Sequence, residues 1–107
     1  MLKIRKTGES YYLASLTDLK RELDRNDSYL IKKELIPIIK SHREISVDLK
    51  GVRTVTEGAF GIFRDLVTQA ETKRCKIKFI NDDPLVNSKF ISMVREITRL
   101  QKESEIN

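Results

Sequence analysis

Residues 52–63 read V-R-T-V-T-E-G-A-F-G-I-F, and the period of the apolar residues changes inside this stretch. Behind it lies I-S-V-D-L-K-G-V, residues 45–52. There the apolar residues alternate, as in a half-buried strand, and the alternation carries on to Val55. Beyond it Ala59, Phe60, Ile62, Phe63, Leu66, Val67 and Ala70 recur at helical spacing, the mark of a helix buried along one face. The chain therefore leaves a strand and enters a helix around Thr56-Glu57-Gly58. Helix starts that follow strands often hold phosphates or catalytic groups, which makes this junction the first candidate site.

Working outward, the second helix is predicted over 57 to about 73, followed by a short buried strand, Lys76–Ile80. The turn Asn81-Asp82-Asp83-Pro84 comes next, with Pro84 suited to the first position of a final helix. In that helix Val86, Phe90, Met93, Ile97 and Leu100 alternate between spacings of four and three, and the tail from Gln101 to Asn107 is expected to fray. Upstream, Asn26-Asp27-Ser28 forms a polar cluster of the N-cap type, which predicts a helix from about Ser28 to His42. Its apolar face is Leu30, Ile31, Leu35, Ile38 and Ile39, and Pro37 should kink or shorten its second half. Residues 2–16 read as a hairpin or two short strands around Thr7-Gly8-Glu9-Ser10, and a strand is expected to end near Leu23-Asp24.

The order is thus β-β-α-β-α-β-α in one domain of the α/β class: a mixed four-stranded sheet with helices packed against it. Strands 45–49 and 76–80, joined by a helix, should be parallel with a right-handed crossover. No repeat or linker interrupts the 107 residues, enough for a modest core.

Composition excludes several classes. Hydrophobic residues make up 39% and charged residues 35%, as in a folded domain rather than a disordered one. No apolar run reaches the length of a membrane span, and M-L-K-I-R-K-T-G-E-S has no apolar signal core, so a cytoplasmic location is expected. The single cysteine, Cys75, allows no internal disulfide. The net charge of +5 admits nucleic acid, a membrane surface or an acidic protein as partner. Basic and acidic residues are interleaved, however, and only Lys73-Arg74-Cys75-Lys76 is a basic cluster without acid relief, which reads best as a solvated helix end and strand start.

Little in the sequence points to an enzyme. The lone histidine, His42, is expected near a helix C-terminus, where the dipole favours it, rather than as a catalytic base. Cys75 lies between two cations that could lower its pKa, but it also fits the start of a buried strand. There is no C-x-x-C or H-x-x-x-H spacing for a metal, and Gly58-Ala59-Phe60-Gly61 is neither a dinucleotide fingerprint nor a Walker loop. Asp82-Asp83 could meet a cation, yet Asp-Asp-Pro is usually a capping turn. No cofactor is expected. Tyr11 and Tyr12 are adjacent, so only one can face outward from a strand, a weak base for RNA recognition. The seam of the last helix, with Arg95, Arg99 and Lys102 nearby, reads as core, with a homodimer contact as the sharper alternative.

Residues 23–52, L-D-R-N-D-S-Y-L-I-K-K-E-L-I-P-I-I-K-S-H-R-E-I-S-V-D-L-K-G-V, resemble the start of STAS domains, the fold of anti-sigma factor antagonists. The resemblance rests on Leu23-Asp24 closing the second strand, a helix carrying Leu30 and Leu35, and Val47-Asp48-Leu49 with Val52. It extends to about residue 94. The family signature D-S-S-G-L or D-S-T-G-L falls on Thr56-Glu57-Gly58-Ala59-Phe60. In the family the second Ser or Thr is phosphorylated by a cognate serine kinase, which releases the partner; here that position is Gly58, which has no hydroxyl. The segment from Tyr11 to Leu23 is longer than the family's, and the family's last strand and helix are expected to be missing or replaced.

The resemblance implies a non-enzymatic module of bacterial signal transduction and transcription regulation. It would dock an anti-sigma or serine-kinase-like ATP-binding protein through Thr56, Glu57, Gly58, Ala59 and Gly61, together with Asp24, Arg25 and Asn26. Modification could fall on Thr56 or Thr54 instead. Thr56 is expected to cap the helix, and Glu57 places one permanent charge at its positive end, less than a phosphate would bring. The alternatives are an accessory subunit of a transport or signalling complex and, behind it, a nucleic-acid binder.

Overall fold

The computed structural model describes residues 1–106, with side chains through Glu103. β1 (Leu2–Lys6) and β2 (Tyr11–Leu16) form the antiparallel hairpin, paired from Leu2 with Leu16 to Lys6 with Tyr12. The Thr7 amide closes its turn on the Tyr11 carbonyl at 2.9 Å. β4 (Glu44–Asp48) lies parallel to β2, and β6 (Lys76–Ile80) parallel to β4. The sheet order is β1-β2-β4-β6, the mixed four-stranded sheet read from the sequence. Two further strands of two residues each, β3 (Glu22–Leu23) and β5 (Thr54–Val55), make a separate parallel ladder.

Three helices, α1 (Arg25–Leu35), α2 (Glu57–Thr72) and α3 (Pro84–Ile106), complete the chain. Alternation along the strands shows where they pack. Ala14, Ile45, Val47, Ile77 and Phe79 are buried, whereas their neighbours Leu13, Ser15, Ser46, Lys76 and Lys78 are half-buried or exposed. Among the described residues only one sheet face is covered, in an arrangement of two layers. The core between them gathers Ile31 and Leu35 of α1, Phe63, Leu66, Val67 and Ala70 of α2, and Phe90, Met93 and Ile97 of α3. The rings of Phe63, Phe79 and Phe90 meet there, Phe63 edge-on to both others at 5.4 and 5.5 Å and Phe79 stacked on Phe90 at 4.1 Å.

Four expectations are corrected. α1 starts at Arg25 rather than Ser28, because Asp24 caps it and the Asn26-Asp27-Ser28 cluster is its first turn. It stops at Leu35 rather than reaching His42, because Pro37 cannot continue an α-helix and sits in a single 3-10 turn, Ile36–Ile38. His42 is therefore not a helix-end residue: it lies in the following loop with a left-handed φ of 65°, its amide bonded to the Arg74 carbonyl. Leu30 and Leu100 are exposed, leaving Ile31, Leu35 and Ile39 to anchor the first helical segment and Val86 to Ile97 the last. The helical backbone of α3 is described to Ile106, and Asn107 lies outside the described residues.

Candidate functional site

The β3–β5 ladder builds the site. Its register sets Glu22 beside Thr54 and Leu23 beside Val55, and the Thr56 amide bonds the Leu23 carbonyl at 3.0 Å. Both strands run the same way, and each feeds directly into a helix. The starts of α1 and α2 consequently lie side by side, and the two helices pack along each other.

Each start is capped by its own chemistry. Asp24 Oδ1 accepts from the Asp27 amide at 2.9 Å, and Asp27 Oδ2 accepts from the Asp24 amide at 3.1 Å, a reciprocal capping box. Lys20 Nζ lies 3.3 Å from Asp27 Oδ1. The Asp27 amide bond, helped by the Asn26 amide and Lys20, holds the Asp24 carboxyl below the usual carboxylate range. Thr56 is the cap of α2, as the sequence expects, its Oγ1 accepting from the Ala59 amide at 3.2 Å. Glu57 follows in the first turn and is exposed. Thr54 is exposed too, its hydroxyl on Glu22 Oε2 at 3.2 Å.

Of the residues expected to dock a partner, Asp24, Arg25, Asn26, Glu57, Gly58 and Gly61 are exposed and Thr56 is half-buried. Gly58 and Arg25 join the two halves: a Cβ built on Gly58 would lie 3.4 Å from the Arg25 Cβ. Ala59 does not belong to this surface. It points into the core and has no exposed area, so its methyl is packing rather than recognition. The resemblance set the two helix starts in one docking role; periodicity gave no sign of their placement, because two-residue strands carry none.

The remaining candidates resolve locally. Cys75 is buried just ahead of β6, and burial pushes its thiol pKa up, so the flanking cations do not activate it. Asp82 Oδ1 accepts from Asn87 Nδ2 at 2.7 Å and Asp83 Oδ1 from the Leu85 amide at 3.0 Å, the work of a capping turn. Among the described residues no group of three or more His, Cys, Asp or Glu side chains is placed to hold a metal. No described helix is long and apolar enough to cross a membrane. The basic cluster does find acid relief: Glu44 Oε1 lies 4.0 Å from Lys76 Nζ across the β4–β6 pairing. Tyr11 is the outward-facing tyrosine, while Tyr12 lies under the Arg43 guanidinium, 4.9 Å from its ring centre. Val86, Phe90, Met93 and Ile97 of the α3 seam are buried in the domain's own core, while Leu100 is exposed.

No protein-family model matches the sequence, and no curated protein is significantly similar to it.

Proposed function

We propose that this protein is a non-enzymatic interaction module of STAS type that docks a cytoplasmic protein, an anti-sigma factor or a serine-kinase-like ATP-binding protein, through the joined starts of α1 and α2. The observation that carries the reading is the apposition of Arg25 and Gly58, which makes one surface of two sequence segments that the STAS resemblance assigns to partner binding. Gly58 has no side chain, so a partner backbone can approach closely there. It also has no hydroxyl, so the usual phosphorylation switch has no acceptor at that position. Glu57 supplies a fixed negative charge at the positive end of α2, a constitutive state where the family has a regulated one.

The test is retention of partners from native cells by the wild-type chain and by Gly58→Arg, with circular dichroism to establish that the variant folds. Loss of one specific protein with Gly58→Arg supports the reading and identifies the partner. Equal retention by the two proteins sinks it, as would a mass increase of one phosphate on Thr54 or Thr56 that leaves partner retention unaltered.

A further inference from the structure

β6 is the last strand of the sheet, and its outer edge is unpaired among the described residues. Its ladder to β4 uses the Lys76 amide, bonded to the Arg43 carbonyl, and the Ile80 carbonyl, which accepts from the Leu49 amide. In a parallel ladder the inward-bonding residues alternate, so Ile77 and Phe79 direct their N–H and C=O groups away from the sheet. Beside this edge runs a groove of about 250 Å³, floored by β6 and walled by Phe90, Ile91, Val94 and Arg95 of α3. Ile91 is 44% exposed in that wall, so its side chain is open to an incoming group. A free strand edge flanked by an apolar groove is the geometry that receives an added strand.

The charges decide what kind of strand. On the open face of the sheet Lys76 and Lys78 project from the same edge, and the single carboxylate of Glu44 serves both, at 4.0 and 3.3 Å. Among the described residues the two ammonium groups therefore share one carboxylate, and Arg95 adds another cation at the groove. A second copy of this chain suits the edge poorly. Antiparallel self-pairing centred on β6 sets Lys78 opposite Lys78, and the register centred on Ile77 sets Lys76 opposite Lys78; like charges directly opposite destabilise a pair.

We propose that the β6 edge is a β-addition site for an extended segment of another protein in which acidic and apolar residues alternate. The apolar residues would enter the groove against Ile91 and Val94, the acidic residues would lie beside Lys76 and Lys78, and the main chain would bond Ile77 and Phe79. The site contains no residue of the α1–α2 surface and does not depend on the function proposed for it.

The experiment is a titration of the 15N-labelled full chain with the capped peptide Glu-Val-Glu-Val-Glu-Val-Glu, followed by amide shifts and hydrogen exchange. The controls are the same peptide with Lys for Glu and a peptide of equal composition in blocks. The expected result is saturable shifts and slowed exchange at Ile77 and Phe79 with the alternating acidic peptide, and neither effect with the two controls. Lys78→Glu should weaken binding about tenfold. Ile91→Asp, an exposed change that leaves the core intact, should weaken it at least as much. No shift at Ile77 and Phe79 at millimolar peptide overturns the proposal, and so does equal affinity for the acidic and basic peptides. Protection of these amides by raising protein concentration alone overturns it in favour of self-association.

Discussion

Gly58 stands in the first turn of α2 and Gly61 one turn further on, and both should stabilise the protein when replaced by alanine. Neither has a positive φ; among the described glycines only Gly51 does, at 90°. A Cβ at Gly61 meets nothing within 4 Å, and one at Gly58 meets the Arg25 Cβ at 3.4 Å, an ordinary contact. Alanine in place of glycine in a helix gains about 0.5–1 kcal/mol, mostly by restricting the unfolded chain. Gly58, in the first turn, should give about 0.5 kcal/mol and Gly61 about 1 kcal/mol. The sites share no partner, so the double variant should gain about 1.5 kcal/mol. For a domain of this size that is a rise in Tm of about 6–9 °C. Thermal and urea unfolding followed by circular dichroism would measure it, with an unchanged m-value marking a change in stability alone. A lower Tm for Gly58→Ala would refute the argument, because it would mean that α1 and α2 approach too closely to admit a methyl group. Gly51→Ala is the internal contrast: its positive φ and a Leu19 Cδ1 only 2.6 Å from the added Cβ should make it destabilising.

Asp24 should give stability a dependence on acid. Its pKa is depressed in the folded state, so its contribution is present above the unfolded carboxylate value of about 3.9 and is lost as pH falls through the lower folded value. Asp24→Ala should therefore cost stability at pH 7 and progressively less below pH ~4, with the difference between wild type and variant vanishing in strong acid; a constant difference across that range would contradict the capping role. Phe63→Ala removes a side chain with no exposure that touches two other rings, and should cost about 3–5 kcal/mol, a large share of the total for one domain, read as a fall in the urea midpoint. Cys75 should resist thiol reagents in the native state at pH 8 and react promptly in denaturant; rapid native labelling would show that the start of β6 opens locally.

The elements that the sequence announces are those whose side chains all answer to one period. β4, β6 and α2 read correctly because Ile45, Val47, Ile77, Phe79 and the run from Ala59 to Ala70 repeat without interruption. α1 is harder because its inward face is partly polar. Asp27 and Ser28 are buried there, Asp27 held by Lys20 and the Asp24 amide and Ser28 by the Arg25 carbonyl, so two of the three residues that looked like a cap are part of the packed face. The true cap carried a signal, since Asp24 and Asp27 stand three apart as a capping box requires. Thr56 as the cap of α2 was legible for the same local reason. The joining of α1 and α2 followed only from the resemblance and not from any local pattern, because it depends on Leu23 and Val55 meeting across more than thirty positions of sequence.

The way the sheet is assembled has a kinetic consequence. The β1–β2 hairpin closes locally, but Tyr11 pairs with Glu44 and Glu44 in turn with Lys76. Each parallel pairing must close a loop of roughly thirty residues before it yields any contact, an entropic cost met in advance of the reward. β4 stands in both pairings. Until it docks, Ile45 and Val47 of β4 remain bare, β6 has no partner strand, and β2 is paired only with β1. Folding should therefore be far slower than hairpin closure, with relaxation in the millisecond range expected of mixed α/β domains by stopped-flow mixing. Substitutions in β4 should slow refolding more than equally destabilising ones in α3.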